Sequence, residues 1–251
     1  MKARISPLRL AAAVLLSFGW LSSASATTIN WGTYISPTSY LFDSTGAKLA
    51  DNYVFELGSF GSFVPTAANM TDWLANWKPF DRAYAPAGSG FDSGSGTVAA
   101  SATLETDFTT SNASLSQANL FAAGEQAYIW VYKDTFGNPT PSPIYTAGLE
   151  WALVTNNASD ANVADDWLFP APSGHVTSTL DWRIEDATAT PFGGLNNTEG
   201  PGAYTAVPTD YILQTHTTAV VPEPGSAFLF LISTSLLVGR RRKPVHTARA
   251  V

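Results

Sequence analysis

Three histidines, His175, His216 and His246, are the residues through which this chain would most readily bind a metal or transfer protons. His175 and His216 are 41 residues apart, and none of the three belongs to an H-x-x-H or H-E-x-x-H pattern. A zinc site needs three or four converging nitrogen, sulfur or oxygen ligands. The sequence therefore predicts no zinc site, and because the chain has no cysteine, it also excludes thiol catalysis and disulfide bonds.

Hydrolytic chemistry has no sequence signature either. The chain lacks a Gly-x-Ser-x-Gly motif, and Ser173 and Ser178 lie near His175 without forming a recognisable triad. Glycoside hydrolysis needs only two carboxylates a few ångströms apart, but nineteen acidic residues between 27 and 220 make such a pair uninformative. We predict that the protein is not an enzyme. A polysaccharide-modifying hydrolase stays as an alternative.

Two oxygen-rich loops could bind calcium, which takes six to eight oxygen ligands. One is Asp92–Gly96, and the other contains Asp160, Asn162, Asp165 and Asp166. Neither has the glycine and glutamate positions of an EF-hand loop. We expect solvated turns and no cofactor, with calcium as the one cofactor left open.

Tryptophan is the residue type through which the chain could bind a sugar, because an exposed indole can stack on the face of a sugar ring. Most of the tryptophans lie in apolar, periodic surroundings that indicate core packing. Trp167 follows the acidic Asp165 and Asp166 and is the candidate for an exposed stacking platform. A carbohydrate- or calcium-binding adhesin is therefore a second alternative function.

The elements that position these residues are predicted to be mostly β-strands. Runs of β-branched and aromatic residues between Gly, Asn, Ser and Pro residues indicate them. Tyr128–Tyr132 is apolar throughout and is expected to be a central strand covered on both faces, whereas the alternation of Leu180, Trp182 and Ile184 indicates a half-buried strand. The predicted strands are Ile29–Trp31, Tyr53–Leu57, Thr97–Leu104, Ala127–Tyr132, Leu149–Val154 and Leu180–Ile184.

One short helix is predicted from Asn69 or Thr71 to Trp77, with Thr71 as its cap and Pro79 just after it. The adjacent Asp81 and Arg82 are expected to form at most a local ion pair. Many short strands with irregular connections and a single short helix indicate an antiparallel β-sandwich or a jelly-roll-like domain.

The charge of the chain is divided between its middle and its ends. Residues 27–220 contain five basic and nineteen acidic residues, which gives a net charge of −14, while the whole chain has −7. Such a surface repels phosphate backbones, so we expect no nucleic-acid partner.

The N-terminus has the pattern of a secretory signal peptide. Lys2, Arg4 and Arg9 precede an apolar run, and Ala24-Ser25-Ala26 is a small-x-small cleavage site. We predict cleavage after Ala26 by signal peptidase, following export by the general secretion machinery.

The C-terminus contains a second apolar run. Residues 225–239 have no charge, and Arg240, Arg241, Arg242 and Lys243 follow them. Fifteen residues are short for a membrane helix, which needs about 17 to 25, so insertion of this hydrophobic helix is expected to be marginal. The basic cluster predicts that the end of the chain lies in the cytoplasm.

Together with the motif before it, this end of the chain resembles the PEP-CTERM sorting signal of Gram-negative bacteria. The motif is Val221-Pro222-Glu223-Pro224, followed by the apolar run and the basic cluster. The resemblance implies recognition by an exosortase, a membrane-embedded cysteine transpeptidase, and an association with exopolysaccharide. The chain departs from the usual pattern in the eight residues that follow Lys243. An ordinary tail anchor is the alternative.

These predictions divide the chain into a signal peptide at 1–26, an acidic exported β-rich domain at 27–220 and a sorting segment at 221–251. We expect a protein that is exported, held transiently in the inner membrane, and finally located at the cell surface or in the extracellular matrix.

Overall fold

The structure of the chain, a computed structural model, describes residues 26–34, 40–85, 89–134, 148–157, 166–171 and 179–218. The cleavage-site residue Ala24, the motif Val221–Pro224, the basic cluster Arg240–Lys243 and the predicted C-terminal hydrophobic helix all lie outside these residues. In the described part of the chain, no helix is both long enough and apolar enough to span a membrane.

The described residues are mostly β, with very little helix, as the sequence predicts. The helical segments are a 3-10 helix at Ala67–Asp72, a single α-helical turn α1 at Trp73–Asn76 and a 3-10 turn at Ile184–Asp186. The strands are β1 Thr27–Gly32, β2 Leu41–Phe42, β3 Tyr53–Ser59, β4 Lys78–Tyr84, β5 Phe91–Asp92, β6 Thr97–Leu104, β7 Ala127–Lys133, β8 Glu150–Thr155, β9 Thr179–Arg183, β10 Ala189–Phe192, β11 Gly194–Leu195, β12 Leu213–Gln214 and β13 His216–Thr217.

These strands form two larger sheets and a small one. The larger sheets have the strand orders β10-β8-β7-β3-β4, with β13 also paired to β8, and β5-β6-β1-β9; the small sheet has the order β11-β12-β2. Most pairs are antiparallel, but β1 pairs with β9, and β12 with β2, in parallel. The predicted antiparallel arrangement therefore holds for most strand pairs but not for these two. Parallel partners cannot be joined by a hairpin, and in the chain β2 to β8 lie between β1 and β9.

Side chains from both larger sheets belong to one hydrophobic cluster. Ile29 and Trp31 of β1 and Phe55 and Leu57 of β3 are members, and all four are fully buried. Successive residues of a strand point to opposite faces, so each sheet contributes alternate residues to this cluster. In β9 the same alternation leaves Asp181 exposed while the neighbouring Trp182 is buried, which confirms the predicted half-buried strand.

The second face of the six-stranded sheet is also covered. An aromatic cluster that includes Phe60, Trp73, Trp77, Trp130 and Trp151 lies there, beneath the 3-10 helix and α1. Every residue of β7 except its last is buried. The expectation of a central strand covered on both faces is thus confirmed for Tyr128–Tyr132.

The short helix exists, but its start and its cap differ from the prediction. It begins at Ala67 as a 3-10 helix, and the α-helical part has only four residues. The side chain of Asn69 accepts hydrogen bonds from the Thr66 amide (2.8 Å) and from Trp73 Nε1 (2.9 Å). Because these bonds order the chain before Thr71, Thr71 is not the cap.

Candidate functional site

The structure does not support Trp167 as a stacking platform. This residue is only 1% exposed, and its ring stacks on that of Trp182, with centroids 6.3 Å apart. Its carbonyl accepts hydrogen bonds from the Ala127 amide (2.8 Å) and from Gln126 Nε2 (3.0 Å). The prediction of an exposed indole is wrong. The backbone of Trp167 is hydrogen-bonded beside β7, and its ring packs in the core.

The first of the two oxygen-rich loops forms an ordinary turn. Asp92 accepts hydrogen bonds from the Gly94 amide (3.0 Å) and from Ser95 Oγ (2.8 Å), and these bonds lower the pKa of its carboxyl group. In the second loop the structure describes Asp166 but not residues 158–165. The described residues contain no group of three or more His, Cys, Asp or Glu side chains suited to a metal ion.

His216 lies in a buried polar cluster that the sequence analysis did not predict. Its ring is fully buried, with Nδ1 3.0 Å from the Pro201 carbonyl and Nε2 2.9 Å from Glu199 Oε2. A carbonyl oxygen and a carboxylate oxygen, both hydrogen-bond acceptors, therefore lie at the two ring nitrogens. Tyr211 donates a hydrogen bond to the other oxygen of Glu199 at 2.5 Å. The cluster therefore connects Glu199 and Pro201 to His216 of β13.

Glu150 forms a second buried polar cluster. Its carboxylate accepts hydrogen bonds from the hydroxyl groups of Ser44 (3.0 Å), Thr215 (3.0 Å) and Tyr53. Burial and the bond to Glu150 raise the pKa of Tyr53. These three partners come from separate parts of the chain, so the cluster connects β3, the segment after β2 and the segment after β12 to β8.

Glu150→Ala is expected to lower the free energy of unfolding by about 1–3 kcal/mol, because three buried hydroxyl groups lose their acceptor. Urea denaturation followed by tryptophan fluorescence measures the change. Asp210→Ala, at an exposed position, is the control and is expected to stay within about 0.5 kcal/mol of the unmodified protein. Equal effects of the two substitutions would contradict a stabilising role for the Glu150 cluster.

Two adjoining cavities among the described residues form an open groove. Their volumes are about 560 and 490 Å³, and both are lined by Ala99, Ala100 and Ser101 of β6. Tyr34 lines the first cavity and Tyr84 the second. We call this site the tyrosine groove. Both volumes fall within the range of about 300–1,000 Å³ that is typical of ligand pockets.

Asp81 and Arg82 line the second cavity of the tyrosine groove, but they do not form the expected local pair. Asp81 accepts hydrogen bonds from Trp31 Nε1 and Asn112 Nδ2, both at 2.7 Å. Burial raises the pKa of the Asp81 carboxyl group, although these bonds oppose the rise. Arg82 is instead paired with Glu56, which lies inside the sheet and is fully buried.

Polar side chains also line the first cavity. Asn30 Nδ2 donates to Asp181 at 3.1 Å, and Arg183 Nη2 lies 3.0 Å from the same carboxylate oxygen. The guanidinium carbon of Arg183 is 5.8 Å from the centroid of the Tyr34 ring. The Tyr34 hydroxyl donates to Asp186 at 3.0 Å, so contacts at both its ring and its hydroxyl hold Tyr34 in place.

No family model matches the chain, and no match is found among the curated proteins or among the solved structures. The function must therefore be argued from the residues themselves. In the tyrosine groove the lining residues include one carboxylate, that of Asp81. A groove with one carboxylate, two tyrosines and several amide and guanidinium groups is suited to holding a polar ligand by hydrogen bonds and ring contacts.

Sequence reasoning missed this groove for a physical reason. Tyr34 and Tyr84 are fifty residues apart in the chain. The groove between them is lined by β1 and β6 of one sheet and by β4 of another. The sequence contained one weak signal for the groove. Asp81-Arg82 is a charged pair directly after Phe80, in a chain whose middle part has only five basic residues.

Proposed function

We propose that the chain is an exported protein of the cell surface or extracellular matrix, without enzymatic activity, that an exosortase-type transpeptidase sorts through residues 221–251. One observation carries the proposal: Val221-Pro222-Glu223-Pro224, fifteen uncharged residues and four basic residues follow one another in this order. The signal-peptide pattern ending at Ala26 supports export. Cleavage near the motif then releases the domain from its transient place in the inner membrane.

The position of the first strand supports the proposed boundary of the exported domain. β1 begins at Thr27, which is 1% exposed and pairs with Leu104 of β6. Cleavage after Ala26 leaves this strand whole. We also propose that the domain is a β-sandwich rich in antiparallel pairs, which is supported by the hydrophobic cluster that the two larger sheets share.

Of the alternatives, the tyrosine groove favours a carbohydrate-binding adhesin. A polysaccharide-modifying hydrolase would need two carboxylates at one site. Four cavities lined by described residues have at most one carboxylate each, Asp81 in the second cavity of the groove and Glu199 beside Thr198 in another. These cavities therefore do not support the hydrolase alternative.

Replacement of Pro222, Glu223 and Pro224 by alanine is expected to stop sorting, because the transpeptidase then lacks its recognition motif. The variant should remain with the membrane fraction at the mass of the unprocessed chain, whereas the unmodified protein reaches the surface at a lower mass. Cell fractionation and intact-mass spectrometry measure both properties.

The matched control replaces Pro141, Ser142 and Pro143, a second Pro-x-Pro sequence within the exported part, and is expected to be sorted normally. Unchanged surface delivery and unchanged mass of the Pro222–Pro224 variant would overturn the proposal. A mature protein that retains residues 225–251 would instead identify an ordinary tail anchor.

A further inference from the structure

We propose that the tyrosine groove binds a neutral polysaccharide chain, with Tyr34 and Tyr84 as the rings on which successive sugars stack. This inference goes beyond export and sorting. It concerns a site within the described domain and is tested on the purified protein, so failure of the sorting proposal would leave it standing.

The exposed aromatic side chains of the described residues are all tyrosines. All seven tryptophans after the signal peptide are buried. Three tyrosines are exposed: Tyr34 at 49%, Tyr84 at 37% and Tyr204 at 41%. Two of these three line the tyrosine groove. Two exposed rings that line the same groove are placed to stack on the faces of a ligand.

The middle of the groove has room for a flat ring. Ala99, Ala100 and Ser101 line both cavities, and their small side chains leave β6 uncovered between the two tyrosines. Ala99 and Ser101 are exposed, whereas Val98 and Ala102 on either side of this stretch point into the core. A sugar can therefore approach the strand closely along this stretch.

Planar polar groups lie on both sides of the small residues. Asn30 and Arg183 line the first cavity, and Asp81 and Asn112 line the second. Carboxylate, amide and guanidinium groups form hydrogen bonds in one plane, a geometry that fits neighbouring hydroxyl groups on a sugar ring. The contacts within each cavity fix these groups in advance, which lowers the entropy cost of binding.

The charges of the groove favour a neutral ligand. Its two arginines are already paired, Arg82 with Glu56 and Arg183 with Asp181, so neither supplies an uncompensated positive charge for a uronate or a sulfate. The domain as a whole has a net charge of −14 and repels anionic polymers at long range. The ligand is therefore expected to bind by hydrogen bonds and stacking, without ion pairs.

The shared lining of the two cavities implies a ligand longer than one sugar. Tyr34 and Tyr84 line adjoining cavities that have Ala99, Ala100 and Ser101 in common. Affinity is therefore expected to rise steeply from a monosaccharide to a hexasaccharide, because a longer chain fills both cavities at once.

The test is isothermal titration calorimetry of the full chain in a detergent that contains no sugar. The probes are four neutral hexasaccharides built from β-1,4-glucose, β-1,3-glucose, mannose and galactose, and a hexamer of galacturonate as the acidic counterpart. At least one neutral hexamer is expected to bind, the corresponding monosaccharide much more weakly, and the galacturonate hexamer not at all. Binding should persist at about 1 M salt, where the Debye length is about 3 Å.

Four variants identify the site. Tyr34→Ala and Tyr84→Ala are each expected to weaken binding about tenfold through the lost ring contacts. Tyr204→Ala is the matched control, an equally exposed tyrosine outside the groove, and should leave the affinity unchanged. Tyr34→Phe keeps the ring and is expected to stay within about twofold of the unmodified protein. A melting measurement on each variant shows that it is folded.

Absence of binding to all four neutral hexamers would overturn the proposal. So would an equal loss of affinity in Tyr204→Ala, or binding that disappears at high salt, because the first result places the ligand elsewhere and the second shows that charge attraction holds it.

Discussion

Arg82→Met is expected to lower the free energy of unfolding by about 3–5 kcal/mol, because it leaves a buried carboxylate without its cation. Glu56 lies in β3 and is fully buried, and the side chain of Arg82 is 13% exposed. The carboxylate accepts hydrogen bonds from Arg82 Nε at 2.6 Å and from Trp77 Nε1 at 2.7 Å. Urea denaturation at neutral pH, followed by tryptophan fluorescence, measures the loss.

The deficit of this variant is expected to depend on pH. Burial raises the pKa of Glu56 even in the presence of Arg82, whose charge opposes the rise. When the folded pKa is above the unfolded pKa, the native state binds more protons, so stability falls as the pH rises. Without Arg82 the pKa of Glu56 rises further, so stability falls more steeply with rising pH. The difference between variant and unmodified protein should therefore be small near pH 4, close to the unfolded glutamate pKa of about 4.3, and should increase toward neutral pH.

Two further variants separate the buried charge from other effects of the substitution. Arg183→Met removes the cation of an ion pair whose carboxylate partner, Asp181, is 54% exposed, and is expected to cost at most about 1 kcal/mol. Adding Glu56→Gln to Arg82→Met removes the uncompensated charge and should recover part of the loss. A deficit that is the same at pH 4 and at neutral pH, or equal in Arg82→Met and Arg183→Met, would contradict this account.

The parts of the fold that could be predicted are those with a local cause. Tyr128–Tyr132 is apolar at both odd and even positions, which is sufficient to predict a strand covered on both faces. The alternation around Trp182 likewise predicts one buried and one open face. Both features depend only on the two-residue period of a strand.

The parts that could not be predicted depend on distant residues. Glu150 is held by Ser44, which is 106 residues away, and Glu56 by Arg82, which is 26 residues away. The neighbours of Trp167 in the sequence are acidic and indicated exposure, but contacts with Ala127 and Trp182 determine its burial. One local signal was available for Glu56. A carboxylate between Phe55 and Leu57, inside a strand of buried residues, requires a partner of opposite charge.

Trp130→Ala is expected to lower the free energy of unfolding by about 3–5 kcal/mol, in the range for removal of a large core aromatic. Trp130 lies at the centre of the aromatic cluster under α1 and is fully buried. Its ring centroid is 4.9 Å from that of Trp151, 5.4 Å from Trp77 and 5.7 Å from Trp73. Alanine leaves a cavity between β7 and the helical segment that these large, rigid rings cannot close. Urea denaturation monitored by far-ultraviolet circular dichroism measures the loss.

Trp130→Phe separates the effect of ring packing on stability from the effect of the buried indole N–H. The indole N–H of Trp130 is buried without a hydrogen-bond partner, and phenylalanine removes that unsatisfied donor while keeping an aromatic ring. We therefore expect Trp130→Phe to cost much less than Trp130→Ala, since the lost ring area is partly offset by the relief of a buried polar group. Tyr84→Ala, at a position that is 37% exposed, is the control for removal of a ring outside the core and is expected to cost less than about 1 kcal/mol. If Phe and Ala at position 130 are equally destabilising, the indole itself is required, and edge-to-face packing among the tryptophans contributes more than their buried area.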